Sequence, residues 1–397
     1  MSEEPPSWAI SVTGNSKTQE SFIKDLANKC LQDIDSHDSE FTQKVEQCIR
    51  NSRLFSSVKV LLSDTRHLSI SVAERWTLLV FPVVSANNSS RSSLGLYALE
   101  TNFLGLGKQL IFGGSYSETG SSFVVVGSDK NIWASPWQGQ AVAVRSQRYY
   151  ELKPDHTTLD AFYEQRTSFG VGAGYAFHSK WTPQISIDFS SEKKLPYKNF
   201  PASSNQQSAR MQSQLRWSNR AYKLYFESGL LFSISSSNQI WRKDNGPLAW
   251  NTFATFQLGT NPFLDHALQQ SCQAQAMMSG DLRDAPKFGG GPGLRGFAQQ
   301  TIWTSRLLSC ATDYQIPFYH ASYGTWTTAP LLDFGWLTFA TQDPQSISYV
   351  TTGLGAYLFL NQIAFPGMGV GCYQNHRTKS LLCQFSIGMN EGTKSSP

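Results

Sequence analysis

The densest run of chemically suggestive residues is Gly289-Gly290-Gly291-Pro292-Gly293-Leu294-Arg295-Gly296-Phe297. Gly291, Gly293 and Gly296 match the spacing G-x-G-x-x-G, which binds a dinucleotide pyrophosphate when it links a strand to a helix. Alternating β-type segments flank the run on both sides, so its context excludes that chemistry. What remains is a glycine loop able to pack its backbone into a confined space, carrying one arginine. A lone buried guanidinium is very costly, so Arg295 needs an anionic partner. Other catalytic patterns fail on spacing. The seven histidines form no H-E-x-x-H pair. Gly113-Gly114-Ser115-Tyr116-Ser117 misses the second glycine of a nucleophile elbow, and Gly392-Thr393-Lys394-Ser395 lacks the glycine spacing of a phosphate loop. A barrel phospholipase or protease would therefore lack a visible triad, and neither a metal nor a cofactor is expected.

The six cysteines show no paired metal-ligand spacing. Cys30 and Cys48 fall on two helices of one small domain and can pair in an oxidising compartment. Whether they do stays open. Cys272, Cys310, Cys372 and Cys383 read as small apolar strand residues.

Two kinds of element must position these residues. Within 8–75 the order is strand, helix, helix, strand, strand. Phe22, Ile23, Leu26 and Cys30 recur at helical spacing, as do Phe41, Val45, Cys48 and Ile49. Val58, Val60 and Leu62, then Leu68, Ile70 and Val72, alternate as strands. Two amphipathic helices over a small sheet make a domain of about 70 residues, near the lower limit for unaided folding. From Trp76 to Asn390 the helical period gives way to about sixteen alternating segments divided by turn residues, several a dozen residues or longer. In one, Tyr222, Leu224, Phe226, Leu230, Phe232 and Ile234 share the apolar face. Such lengths exceed soluble strands and suit ~9–11 residues crossing a membrane at a tilt. The alternative is a large soluble all-β protein.

Composition allows both. The hydrophobic share is 40%, net charge +4 and mean hydropathy −0.31, which argue against a helical membrane protein. A barrel with one polar face escapes that test, and aromatics at 13% suit its interfacial girdles. Residues 1–7 read as a disordered start without a basic stretch leading into an apolar core. A secretory signal is thus either outside this numbering or not the route used. Residues 391–397 read as a polar tail.

In this order of parts the chain resembles the BamA-like superfamily of outer-membrane assembly and secretion factors. Leu294-Arg295-Gly296-Phe297 matches the family's hydrophobic–Arg–Gly–aromatic motif, carried by a loop folded back into the barrel. Leu331-Leu332-Asp333-Phe334-Gly335-Trp336 resembles the strand that holds the acid for that arginine. Asn102-Phe103-Leu104-Gly105-Leu106-Gly107 looks like the turn between the second and third barrel strands. Leu54 to Val60 is similar to the segment after the second helix of a polypeptide-transport-associated (POTRA) module. Three departures are a single such module, Leu294 where Val is commoner, and a polar tail in place of a C-terminal aromatic.

The resemblance implies an all-β transmembrane barrel of about 16 antiparallel strands (76–390), preceded by one α+β POTRA-like domain of order βααββ (8–75). It implies an insertase or translocase and no enzyme. Arg295 would pair with Asp333, with Asp313 as second candidate, pinning the loop in the lumen. The first strand (Leu78 to Val84) and the last (Leu381 to Met389) must pair to close the barrel, and Pro82, Phe385 and Gly388 mark a weak seam able to template an incoming strand. Val58, Val60 and Leu62 form the expected client-binding strand edge. Expected partners are unfolded outer-membrane clients, the lipid bilayer and accessory assembly subunits, with no nucleic acid. A passive porin is the third class, but it needs neither the arginine loop nor the module. The expected location is a Gram-negative outer membrane, with mitochondrial or plastid outer membranes as alternatives.

Overall fold

A computed structural model describes residues 8–387 apart from 33, 35–38, 65–66, 86–92, 118–119, 133–134, 153–159, 178–179, 197–204, 224, 264, 281–283, 298–301, 341–343 and 364–366. The expected disordered start, the polar tail and Gly388 lie outside the described residues.

The first elements are β1 (Ala9–Thr13), α1 (Glu20–Gln32), α2 (Phe41–Arg50), β2 (Phe55–Asp64) and β3 (His67–Glu74). The strands form one sheet in the order β1-β3-β2, with β1 parallel to β3. Ile23, Ala27 and Cys30 of α1 and Phe41, Val45 and Ile49 of α2 recur at helical spacing and are buried. They pack on Phe55, Val58, Val60, Leu68, Ile70 and Val72. Cys30 and Cys48 are joined as a disulfide between the helices.

Eighteen strands follow in one antiparallel sheet: β4 (Leu78–Ser85), β5 (Ser93–Phe103), β6 (Lys108–Ser117), β7 (Gly120–Asp129), β8 (Trp137–Leu152), β9 (Asp160–Tyr175), β10 (Trp181–Pro196), β11 (Asn205–Ser218), β12 (Ala221–Lys223), β13 (Phe226–Arg242), β14 (Trp250–Thr260), β15 (Ala267–Ser279), β16 (Lys287–Phe288), β17 (Ile302–Ala321), β18 (Gly324–Phe339), β19 (Ser346–Leu360), β20 (Met368–Asn375) and β21 (Leu381–Ile387). β11 pairs directly with β13, and β15 with β17. The short β12 and β16 therefore add no place to the wall, which has sixteen strands in a ring. The ring comes back on itself at one register pair, Gln384 with Ser85.

Alternation along the strands runs opposite to that of a soluble sandwich. Leu96, Phe123, Phe169, Ile185, Ile234, Leu308, Phe334, Leu354 and Val370 are exposed on the outside. Buried inward are Ser168, Ser190, Ser208, Ser235, Gln275, Ser309, Gln315, Thr327 and Thr351. A water-soluble β protein buries its apolar face. This one buries the polar face. No helix among the described residues is long and apolar enough to cross a membrane, which says nothing about strands.

The face expected for Tyr222 to Ile234 is corrected by the structure. Tyr222 and Phe226 are buried inside, whereas Phe232 and Ile234 are exposed outside. Tyr222 lies on the separate short strand β12, turned against β13, and Leu224 lies outside the described residues. Within β13, Gly229, between Phe226 and Phe232, takes φ +116, a conformation that interrupts regular alternation.

Candidate functional site

The glycine run belongs to the connection between β15 and β17 and sits inside the barrel. Gly289, Gly290 and Gly293 have φ of 127, 77 and 84. Two backbone bonds, Leu294 N–H to Gly291 O (2.9 Å) and Phe297 N–H to Leu294 O (3.1 Å), tighten the turn. A Cβ on Gly296 would lie 2.4 Å from Thr351 Oγ1, so this position must stay bare. Leu294 is buried among Phe288, Ile302, Leu307, Leu337 and Tyr349.

Arg295 is 4% exposed and meets both candidate acids. Its backbone N–H donates to Asp333 Oδ2 (2.9 Å) and its Nε to Asp333 Oδ1 (2.9 Å), while Nη2 also reaches Asp333. Nη1 donates to Asp313 Oδ1 at 2.6 Å. The guanidinium carbon lies 5.3 Å from the centre of the Tyr373 ring, within cation–π range. Charge-assisted bonds of this kind are the strong class, and they offset the desolvation of a buried ion set. The loop backbone is gripped as well. Tyr349 Oη donates to Gly293 O (2.7 Å), and Asn375 Nδ2 and Ser380 Oγ reach Gly296 O (3.4 and 3.5 Å). Phe297 meets Tyr349 edge to face at 5.0 Å. The motif thus touches β17, β18, β19, β20 and the turn before β21.

A second ionic cluster holds the loop where it leaves the wall. Asp284 accepts from Arg242 Nη1 (2.6 Å), and Arg210 lies 3.9 Å away. Lys287 Nζ donates to Glu164 Oε2 (2.8 Å) and lies over the Trp303 ring.

At the seam the closing ladder is a single pair among the described residues. β4 shares eight register pairs with β5, and β21 shares seven with β20, but β4 and β21 share only Gln384–Ser85. The first strand is tied a second time at its start, where Trp76 N–H donates to Gln362 O (2.6 Å). Pro82 lies within β4 opposite Leu96 and is exposed; having no N–H, it weakens any ladder it joins. Phe385 lies in β21, paired with Val370.

The N-terminal elements dock on the barrel at separated points of its mouth. Gln19 N–H donates to Gly105 O (2.9 Å), and Asn102 Nδ2 donates to Thr18 Oγ1 (2.9 Å), so the 102–107 turn seats on the start of α1. A Cβ on Gly107, whose φ is 63, would lie 2.3 Å from the Phe22 ring. On another side, α2 grips β12: Gln47 Nε2 donates to Tyr222 O and Tyr222 N–H donates to Asn51 Oδ1, both at 3.0 Å. The Tyr222 ring has Arg53 at 5.2 Å and Arg75 at 5.3 Å, and Arg53 is ion-paired with Glu227 of β13.

β2 is an edge strand, but the side chains of Val58 and Val60 are buried in the module core. Neither side chain is presented to a partner. Leu61 and Leu62 are the exposed apolar residues. The N–H of Val60 donates to Glu46 Oε1 at 2.9 Å.

Solved structures share this fold. CdiB from Escherichia coli superposes with a TM-score of 0.63 at 14% identity, covering 96% of this chain and 75% of that one. CdiB from Acinetobacter baumannii gives 0.60 at 11%, with 96% and 73% covered. BamA from Haemophilus ducreyi lacking POTRA domains 1–3 gives 0.55 at 12%, with 96% and 83% covered. The fold is that of BamA and CdiB. No family model matches the chain, and no curated protein matches it by sequence.

Within the BamA-like fold, several residues around the loop were not foreseen. Tyr349, Tyr373 and Asn375 carry no local motif, and only three-dimensional register places them against residues 293–296. The four strand cysteines are also corrected. Cys272 lies opposite Cys310 and Cys372 opposite Cys383 in the ladders, and both pairs are disulfides. Their separations, 38 and 11 residues, have nothing in common, and only the strand register brings each pair face to face.

Proposed function

We propose that this chain is an outer-membrane barrel of the BamA-like kind that inserts or exports other outer-membrane polypeptides through the seam between β21 and β4. The observation that carries the reading is a junction with one register pair among the described residues, in a wall whose other neighbouring strands share seven or more. Edge strands with unused backbone groups invite another strand to add, and here both edges lie in an apolar-faced barrel. That outward face supports the bilayer as surroundings, because lipid accepts what water would not. The loop pinned by Arg295 fills part of the lumen, which speaks against a passive pore.

Residues 8–75 are read as a POTRA-like domain facing the periplasm, with the barrel from 76 to 390. The edge of β2, including Leu62 and the backbone of Val58 and Val60, is read as a client contact. A Gram-negative outer membrane is the proposed location. The catalysis is non-covalent and requires no cofactor.

The test is to tether β4 to β21 with engineered cysteines and follow insertion of an unfolded outer-membrane barrel into proteoliposomes, beside ion conductance in planar bilayers. Tethering should stop insertion, and each single-cysteine variant should retain it. Undiminished insertion by the tethered form, or conductance without insertion, would remove the proposal.

A further inference from the structure

The seam has two sides, and they are built differently. All cysteines of the chain other than Cys30 and Cys48 lie at 272 or beyond. One disulfide bridges β15 and β17, the strands that carry the arginine loop, and the other bridges β20 and β21, the last hairpin. The seven described residues of β21 make a strand short enough to fray or slip if held by hydrogen bonds alone. Cys372 and Cys383 are directly opposed in its ladder, so the covalent bond admits one register and forbids any other. The hairpin turn is held too. Asn375 N–H donates to Ser380 O (3.0 Å), and both side chains reach Gly296 O, beside the Arg295 pinned to β18. A chain of fixed contacts thus runs from β18 to β21.

The other side carries no disulfide among the described residues: β4 is held by its ladder with β5, the Phe81–Tyr97 ring stack and the Trp76 N–H bond to Gln362 O. β4 carries Pro82. Its neighbours expose a dent of about 610 Å³ on the outward face, lined by Pro82, Leu94, Gly95, Leu96, Gly114 and Tyr116. Glycines there leave few side-chain contacts to stiffen the wall.

We propose that Cys372 and Cys383 are positioning residues: they make β20–β21 one covalent hairpin, so that the seam parts by movement of β4 while β21 stays as a stationary edge in fixed register. An incoming strand can add to the outer edge of β21 or to β4, but it cannot displace β21 from β20. This rests on the seam reading of the proposed function and assigns which side moves.

Hydrogen exchange in lipid nanodiscs tests the asymmetry with no client present, so its failure is distinct from failure of insertion. With the disulfide intact, β4 amides should exchange about ten-fold or more faster than those of β21. The Cys372→Ser/Cys383→Ser double variant should bring β21 to the rate of β4, leaving β18 and the module unchanged. If that variant does not fold, Cys372→Ala/Cys383→Val gives the same comparison with the other two disulfides intact. Equal exchange of β4 and β21 in the oxidised protein would overturn the proposal, as would unchanged β21 protection once the bond is removed. A second readout uses an unfolded outer-membrane barrel carrying a photocrosslinker in its terminal strand. It should mark one position of β21 in the wild type and several in the variant; one unchanged position in both would deny the disulfide its register role.

Discussion

Arg295 gives both its backbone N–H and its side-chain Nε to one carboxylate, that of Asp333, and spends Nη1 on Asp313. Main chain and side chain are thus fixed by the same acid, which sets the loop's path as well as its charge. The two acids are unequal in what they hold. Breaking a buried ion set by removing one member costs roughly 3–5 kcal/mol. Arg295→Ala should therefore lower the denaturation midpoint strongly, because two buried carboxylates lose their cation. Asp333→Asn should cost more than Asp313→Asn. Arg295→Lys should recover little, since an ammonium cannot reproduce the planar fork. Heat-modifiability on gels, followed across these four variants, checks the order; equal midpoints for the two Asp variants would contradict it.

The Tyr222 ring has the guanidinium groups of Arg53 and Arg75 at 5.2 and 5.3 Å from its centre, where α2 meets the barrel. Each cation–π contact is worth roughly 0.5–2 kcal/mol, and the backbone bonds to Gln47 and Asn51 survive truncation. Tyr222→Ala should loosen docking without unfolding either part. Exchange at the end of α2 and at residues 75–77 should rise several-fold, with the barrel midpoint unchanged. A fall in barrel stability equal to the rise in exchange would assign Tyr222 to the wall instead.

How much of this was legible follows from what each signal encodes. Period-2 alternation depends on neighbours in sequence, so strand identity and the count around the wall could be read directly. The Leu294-Arg295-Gly296-Phe297 run could be found because its residues are contiguous, and Asp333 because its strand carries a pattern of its own. Tyr349, Tyr373 and Asn375 contact the loop from strands 50 to 80 residues away, and no local pattern marks them. Phe226 was misplaced because one backbone dihedral, at Gly229, shifts a face that periodicity assumes continuous. The one-pair seam was invisible for a related reason: alternation shows that a strand exists, not how far its register overlaps a partner 300 residues away.

Glu74 ties the end of β3 to the start of α1. Burial tends to raise its pKa, but bonds from Thr18, Lys17 and Ser16 outweigh that and bring it from 4.5 down to about 2. A carboxyl with a depressed folded pKa stabilises above its unfolded value and loses that contribution as pH falls through the folded one. The module should therefore weaken between about pH 4.5 and pH 2. Glu74→Gln should be less stable at neutral pH and show a flatter profile across that window. Exchange of α1 amides in both proteins measures this. Parallel pH profiles would mean that Glu74 is not the titrating group.

The edge of β2 already has an occupant. Val60 N–H, which an added strand would need, donates to the Glu46 carboxylate at 2.9 Å, and Glu46 is also 3.8 Å from Arg50. A hydrogen bond to a charged group is worth roughly 1.5–3 kcal/mol, so an incoming carbonyl competes against a better acceptor. Such a side chain protects an edge from indiscriminate pairing while leaving it open to a strand that gains elsewhere, for example on exposed Leu61 and Leu62. Glu46→Ala should then tighten binding of an extended apolar peptide to the full chain by about ten-fold, the equivalent of roughly 1.4 kcal/mol. Leu62→Ser should weaken it, and the double variant should fall between. Fluorescence anisotropy with a labelled peptide from an outer-membrane strand gives the three affinities. If Glu46→Ala binds no more tightly than the wild type, β2 is not the edge that clients use.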